Sequence, residues 1–462
     1  MNKIKHLVNK ATLLIACFSF AGCSDFLDVK PYGQKLPDTN DDFEQLLVSQ
    51  LRAIDVGNDE VFGSHKQMLK YECYSDNLNA AQLTSKPNNM PIYVGEDIGG
   101  TQYRFRKVYP KIRNLNIILG NMPDKDSEKG REMVAVCHAM RGAMYFVLMR
   151  ESCEPYNATD PNSVLGLPLV SQFDIEAKPV RATLPATIDF IVSDLRKAID
   201  MNVEKTKYMF NTDVARAYLA RTYFWGQRWR EAAELAEALL NKYPLLEGEA
   251  YKDMIQAETE AKGNVIFRSC SAMSLSGYKT SMKNAKSRPI ALDFYRLFAE
   301  KKRDIRYTFF FDKKLQSSKG IHMWVRSAEM CLMLAECYVH QGNNERALKY
   351  LNDLRAKRIK DYKPLTMANL PPVDKEALVK TDATGKPITP IMQAILNERR
   401  KELFMEGDRF YELKRNGRPE FWVGVNGMKY ETKKYLYTYP LAYTDLITNE
   451  NLKQNPGYED KR

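Results

Sequence analysis

Residues 213–242 read DVARAYLARTYFWGQRWREAAELAEALLNK. Within them Leu219, Ala220 and Tyr223 are followed at repeat spacing by Ala232, Ala236 and Leu239, with Pro244 just beyond. Small residues at such intervals let two antiparallel helices approach closely, and Gly226-Gln227 supplies the turn, so the stretch reads as a tetratricopeptide helical hairpin. A second copy has Leu334, Ala335 and Tyr338, a turn at Gly342-Asn343, then Ala347, Leu351 and Leu354. The copies lie 115 residues apart (334 minus 219), which excludes neighbouring repeats of a simple solenoid with a period of about 34 residues. The hairpins are therefore expected to stack through space, with long excursions between them.

Helical period extends outward from these two copies. Met133, Val136, Met140, Met144 and Val147 mark one face of a helix over 133–150, and a further helix is expected over 391–415. Between them, the segments around 79–103, 152–185, 260–290 and 360–390 are rich in Pro, Gly, Asn, Ser or Thr and poor in helical period, so they read as loops. The fold class is mainly α: a tetratricopeptide-like helical scaffold with long irregular loops. Loops of that length on a rigid scaffold are where binding residues are expected.

The N-terminus bears on location. Lys3, Lys5 and Lys10 precede an apolar run from Ala11 to Phe20, and Ala21-Gly22 stand directly before Cys23. That order reads as a signal peptide over 1–22, too short in its apolar part to span a bilayer permanently, and Ala-Gly-Cys resembles a bacterial lipobox in which the Cys23 thiol is acylated. No other stretch offers eighteen consecutive apolar residues, so the mature chain is expected to be anchored to a membrane, not embedded in it. The formal charge of +11 falls to +8 without the three leader lysines, an excess that suits acidic ligands or a solvated Lys/Arg-rich surface. Cys73, Cys137, Cys153, Cys270, Cys331 and Cys337 follow no Cys-x-x-Cys or His/Cys zinc spacing, so no metal or other cofactor is expected. Cys137, Cys331 and Cys337 fall in apolar helical sequence, as small buried hydrophobes do.

Five segments resemble one family, in its own order. They are Cys23-Ser24-Asp25-Phe26-Leu27-Asp28 with Pro31; Tyr109-Pro110-Lys111-Ile112-Arg113-Asn114-Leu115-Asn116; and Trp324-Val325-Arg326-Ser327-Ala328-Glu329 running on to Glu336. The fourth is Glu398 to Arg409 with Arg415-Asn416-Gly417, and the fifth Tyr439-Pro440-Leu441 with Gln454-Asn455-Pro456-Gly457-Tyr458. Together they resemble the SusD/RagB lipoproteins of Bacteroidetes. The resemblance implies a single SusD-like domain over 23–462, with an N-terminal helical half to about 250 and a C-terminal half from 251. It also implies a lipid-anchored outer-membrane protein, facing the cell surface, that binds a nutrient oligosaccharide and delivers it to a SusC-like TonB-dependent transporter. The RagB branch implies peptide cargo instead. A helical glycoside hydrolase and a pure protein-interaction scaffold remain as competing readings; no nucleic-acid partner is implied.

The chemistry of particular residues separates these readings. Glu398, Glu402 and Glu406 recur every four residues beside Arg399, Arg400 and Arg409. Paired carboxylates serve glycosidases, but adjacent arginines keep both ionised, which suits a salt-bridged helix better than a protonated general acid. No Gly-x-Ser-x-Gly, His-Glu-x-x-His or Walker motif occurs, so no catalytic residue is assigned and the protein is not expected to be an enzyme. Sugar rings pack their C–H faces on aromatic planes and bond their hydroxyls to amides and carboxylates, so loop tyrosines beside Asn and Asp are the expected recognition set. The candidate ligand-binding residues are Asp76, Asn77, Tyr93, Tyr103 and Tyr278, expected to converge on one exposed concave face. Trp225, Trp229, Trp324 and Trp422 adjoin helical sequence and are read as packing residues.

Overall fold

Capping and periodicity account for where the helices begin and end. The computed structural model describes residues 37–80, 91, 93–96, 103–174 and 176–459, so the expected signal peptide and Cys23 lie outside the described residues. Helices α1 (Asn40–Asp55) and α2 (His65–Cys73) lead to α3 (Arg104–Asn121) and α4 (Glu128–Ser152). Ser127 starts α4 by accepting a bond from Gly130 N, an N-terminal cap that satisfies one of the free amides. By length and composition α4 is apolar enough to cross a membrane, yet 89% of its apolar window is buried inside the protein, so it is the core helix.

The excursion after α4 forms an antiparallel pair, β1 (Leu165–Pro168) with β2 (Arg181–Thr183), before α5 (Leu184–Asp200). The first tetratricopeptide hairpin is α6 (Thr212–Trp225) and α7 (Trp229–Lys242), followed by α8 (Gly248–Gln256). Next come β3 (Val265–Arg268), α9 (Leu275–Lys286), α10 (Leu292–Arg296), α11 (Ile305–Phe309) and β4 (Trp324–Arg326). Strands β3 and β4 pair antiparallel with Arg268 opposite Trp324, which places the 260–290 excursion at the head of the second hairpin. That hairpin is α12 (Ser327–His340) and α13 (Asn344–Ala356). Helices α14 (Pro390–Glu402) and α15 (Asp408–Arg415), the hairpin β5 (Phe421–Val425) and β6 (Met428–Thr432), and α16 (Tyr443–Thr448) complete the described chain.

The helices pack in a continuous run: α3 on α4, α4 on α5, α5 on α6, α6 on α7, then α7 directly on α12 and α12 on α13. The two hairpins are thus neighbours in space. Ala232 and Ala236 of α7 and Ala335 of α12 are fully buried, and their small side chains permit the close approach. Truncating a buried leucine such as Leu334 or Leu351 to alanine removes roughly 2–5 kcal/mol of stability. Helix α14 returns onto α12. From Asn40 onward the chain forms one compact unit.

Two expectations change. The helix read over 391–415 is two helices, because Met405 (φ 62°) and Gly407 (φ 69°) take left-handed backbone and end α14 before Glu406 is reached. The 260–290 excursion is not a loop throughout: Ser274 accepts from Gly277 N and caps α9, so Tyr278 sits on a helix. The 360–390 excursion does run without helix or strand, apart from a bridge between Thr381 and Pro387. The six cysteines after Cys23 are all buried.

Candidate functional site

The carboxylates weighed for catalysis are interior. Glu398 and Glu402 are fully buried on α14. Glu402 accepts from Arg326 Nη1 (2.7 Å), Arg358 Nη2 (2.9 Å) and Arg306 Nη1 (3.0 Å). Burial opposes its ionisation, but Arg358, Arg326 and Arg306 outweigh it and hold the carboxyl well below the ordinary range. Glu398 is depressed likewise against burial by Arg306, Lys401 and Arg355. Glu406, beyond the helix break, still joins the cluster by accepting from Arg326 Nη2 (2.8 Å) and Trp324 Nε1 (2.6 Å). No water-facing acid or base arises from these groups. They tie α14 to α11, β4 and the end of α13.

The five candidate recognition residues do not share one exposed face. Asn77 is fully buried: its Nδ2 donates to Glu72 Oε2 (3.0 Å) and its Oδ1 accepts from Arg400 Nε (2.7 Å). Tyr278 is buried edge-on against His65, with ring centroids 5.6 Å apart, because capped α9 turns it inward. Tyr103 is exposed at the start of α3, with the Arg106 guanidinium over its ring. Tyr93 stacks on Tyr430 of β6 at 4.2 Å. Asp76 is held by Arg409 through two bonds (2.8 and 3.0 Å) and lies 3.1 Å from Arg400. Burial opposes ionisation of Asp76, yet Arg400 and Arg409 keep its carboxyl far below its usual value.

Asp76 does line a groove, of about 960 Å³. The floor is built from the turn after α2, where the bridge between Leu78 and Ile290 and the bond from Ala291 N to Asn77 O (2.8 Å) fasten that turn to α10. Helix α14 contributes Gln393, Asn397 and Arg400, and the 360–390 loop contributes Asp374 and Glu376 to Val379, anchored by Asp374 N donating to Gln393 Oε1 (2.7 Å). The opposite wall is β5, with Phe421 to Gly424.

Trp422 on that wall is 60% exposed, a large aromatic plane left in water beside a groove. The β5–β6 register sets Trp422 opposite Glu431 and Val423 opposite Tyr430, so Trp422 and the Tyr93–Tyr430 stack lie on opposite faces of the hairpin. The packing role expected of Trp422 is therefore not what is observed, whereas Trp225 and Trp324 are buried and Trp229 stacks on His340. The missed signal was local: Asn426-Gly427, both with positive φ (51° and 78°), between alternating apolar residues marks a two-residue β-hairpin.

Comparison with known proteins accords with this architecture. A profile described as the SusD family matches residues 305–458, one described as starch-binding associating with outer membrane matches 25–224, and a tetratricopeptide repeat profile matches 215–245. The chain belongs to the SusD/RagB family. Among solved structures it is similar to a SusD superfamily protein from Bacteroides thetaiotaomicron, at 22% identity, TM-score 0.68, over 90% of this chain and 100% of that one. It is likewise similar to a putative sugar binding protein from Bacteroides vulgatus, at 22% identity and TM-score 0.67, over 92% of this chain and 100% of the other. A SusD-like carbohydrate binding protein from the same species matches at 17% identity and TM-score 0.66, over 90% and 98%. At these identities the solved structures establish the fold alone. No curated protein matches.

Proposed function

We propose that this protein is an outer-membrane lipoprotein, acylated at Cys23, that captures an oligosaccharide in the groove beside Trp422 and passes it to a SusC-like TonB-dependent transporter. The observation that carries the reading is the Trp422 ring, 60% exposed on the wall of a groove of about 960 Å³ whose floor is rigidly braced by Asp76, Arg400 and Arg409. An aromatic plane held open next to polar side chains fits the apolar face of a sugar ring and its hydroxyls. The family profile and the names of the similar structures support a carbohydrate ligand. The buried, ion-paired state of Glu398 and Glu402 supports a binding role without hydrolysis.

The test is Trp422→Ala in affinity electrophoresis and calorimetry against a panel of polysaccharides, with a peptide digest as the competing cargo. Losing a central aromatic contact costs about 2 kcal/mol, roughly a thirtyfold loss of affinity. Because Trp422 is exposed, stability should change by less than about 0.5 kcal/mol. Glycan binding that survives unchanged in the variant rules out this groove, and Trp422-dependent capture of peptides in place of glycans moves the cargo to the peptide class.

A further inference from the structure

The groove has the opposite charge balance to the chain around it. The whole sequence carries a formal +11, which by itself suits acidic ligands. The groove lining instead holds five carboxylates, Asp76, Asp293, Asp374, Glu376 and Glu420, against three cations, Arg296, Arg400 and Arg409. All three cations are already engaged. Arg400 and Arg409 lie 3.1 and 2.8 Å from the Asp76 carboxylate, and Arg296 lies 3.0 Å from Asp293.

The remaining carboxylates have no such partner. Among the described residues, Asp374, Glu376 and Glu420 make no ion pair within 4.0 Å; Asp374 accepts only from Glu376 N (2.8 Å) and Glu420 only from Lys434 N (3.3 Å). All three are exposed. Lys375 and Lys380 on the same loop are not among the residues lining the groove. Lys429, above the Trp422 ring, is paired with Glu431 at 3.2 Å. An anionic sugar entering here meets three like charges without an ion-pair partner, and it reaches a cation only by displacing Asp76 from two buried arginines or Asp293 from Arg296 in an exposed pair.

We propose that the groove admits uncharged and amine-bearing glycans and excludes glycans carrying uronate or sulfate groups; this rests on the groove being the ligand site. The experiment is affinity electrophoresis of the detergent-solubilised full chain at about 0.15 M salt, where the screening length is roughly 8 Å. The matrices are starch, xylan, mannan, chitosan, polygalacturonate and chondroitin sulfate. Retention counts only where Trp422→Ala abolishes it, which removes attraction of polyanions to the rest of a basic surface. The expected result is Trp422-dependent retention by neutral or chitosan matrices alone. In the triple variant Asp374→Asn, Glu376→Gln and Glu420→Gln, the ratio of anionic to neutral affinity should rise about tenfold. Trp422-dependent retention of wild type by polygalacturonate or chondroitin sulfate overturns the charge selection and leaves the groove as the ligand site. If no matrix gives Trp422-dependent retention, the groove reading falls and the selection falls with it.

Discussion

Glu402→Gln tests whether the interior ion cluster holds the C-terminal half together. The carboxylate is fully buried and faces three guanidiniums. Without its charge Arg306 keeps Asp304 and Glu398, and Arg326 keeps Glu406. Arg358 keeps the carbonyls of Leu246 and Lys357 and the face of the Tyr251 ring but no carboxylate, so a buried cation loses its counter-charge. Breaking one side of such a pair costs about 3–5 kcal/mol. The sign of the pH dependence follows from the depressed folded pKa: the stabilisation is complete above the ordinary value of 4.5 and is lost as pH falls through the much lower folded value. Urea and thermal unfolding at pH 7 should show the full loss, and the double variant Glu402→Leu with Arg358→Leu should recover more than about 1 kcal/mol relative to the sum of the single changes. Unfolding of Glu402→Gln within about 0.5 kcal/mol of wild type would refute the argument.

Gly407→Ala should destabilise by about 1–3 kcal/mol, read by thermal unfolding, because Gly407 has φ 69° and an added Cβ would meet Met68 Sδ and Tyr71 Cδ2 at 3.1 Å. Glu72 is raised to about 7 by burial, against its bonds from Asn77 and Gly407 N, so between pH 4.5 and about 7 the folded state holds a proton that the unfolded state has released. Its contribution to stability therefore falls as pH rises through that window and levels off above it, and Glu72→Gln should flatten that part of the stability–pH curve; an unchanged slope counts against it. Cys23→Ala should move the protein out of the membrane fraction or leave its leader uncut, checked by fractionation and intact mass, and normal retention of the variant would defeat the acylation proposal.

The sequence alone determined the scaffold, because helical hairpins are specified locally. Ala232, Ala236, Ala335 and Ala347 at repeat spacing, with turns at Gly226-Gln227 and Gly342-Asn343, encode close helix contact within about thirty residues, and α6–α7 and α12–α13 form where that spacing lies. That Glu398 and Glu402 are ion-paired was legible in the sequence, but their arginine partners were not: Arg399 and Arg400 of the same helix go to Asp408 and Asp76, and Arg306, Arg326, Arg355 and Arg358 come from distant segments. The binding residues were not legible, because exposure is a property of contacts made across the chain. Asp76 and Asn77 looked like loop ligands, yet Arg400, 323 positions from Asn77, turns one inward and ties up the other. Tyr278 lies in sequence that reads as a loop, and a single serine cap, Ser274, makes it a helix. Trp422 lay in a hairpin announced by Asn426-Gly427, but alternation along a strand only says that one face differs from the other. Which face meets water was settled by the turn after α2, α10, α14 and the 360–390 loop, which meet beside β5 and leave a groove there.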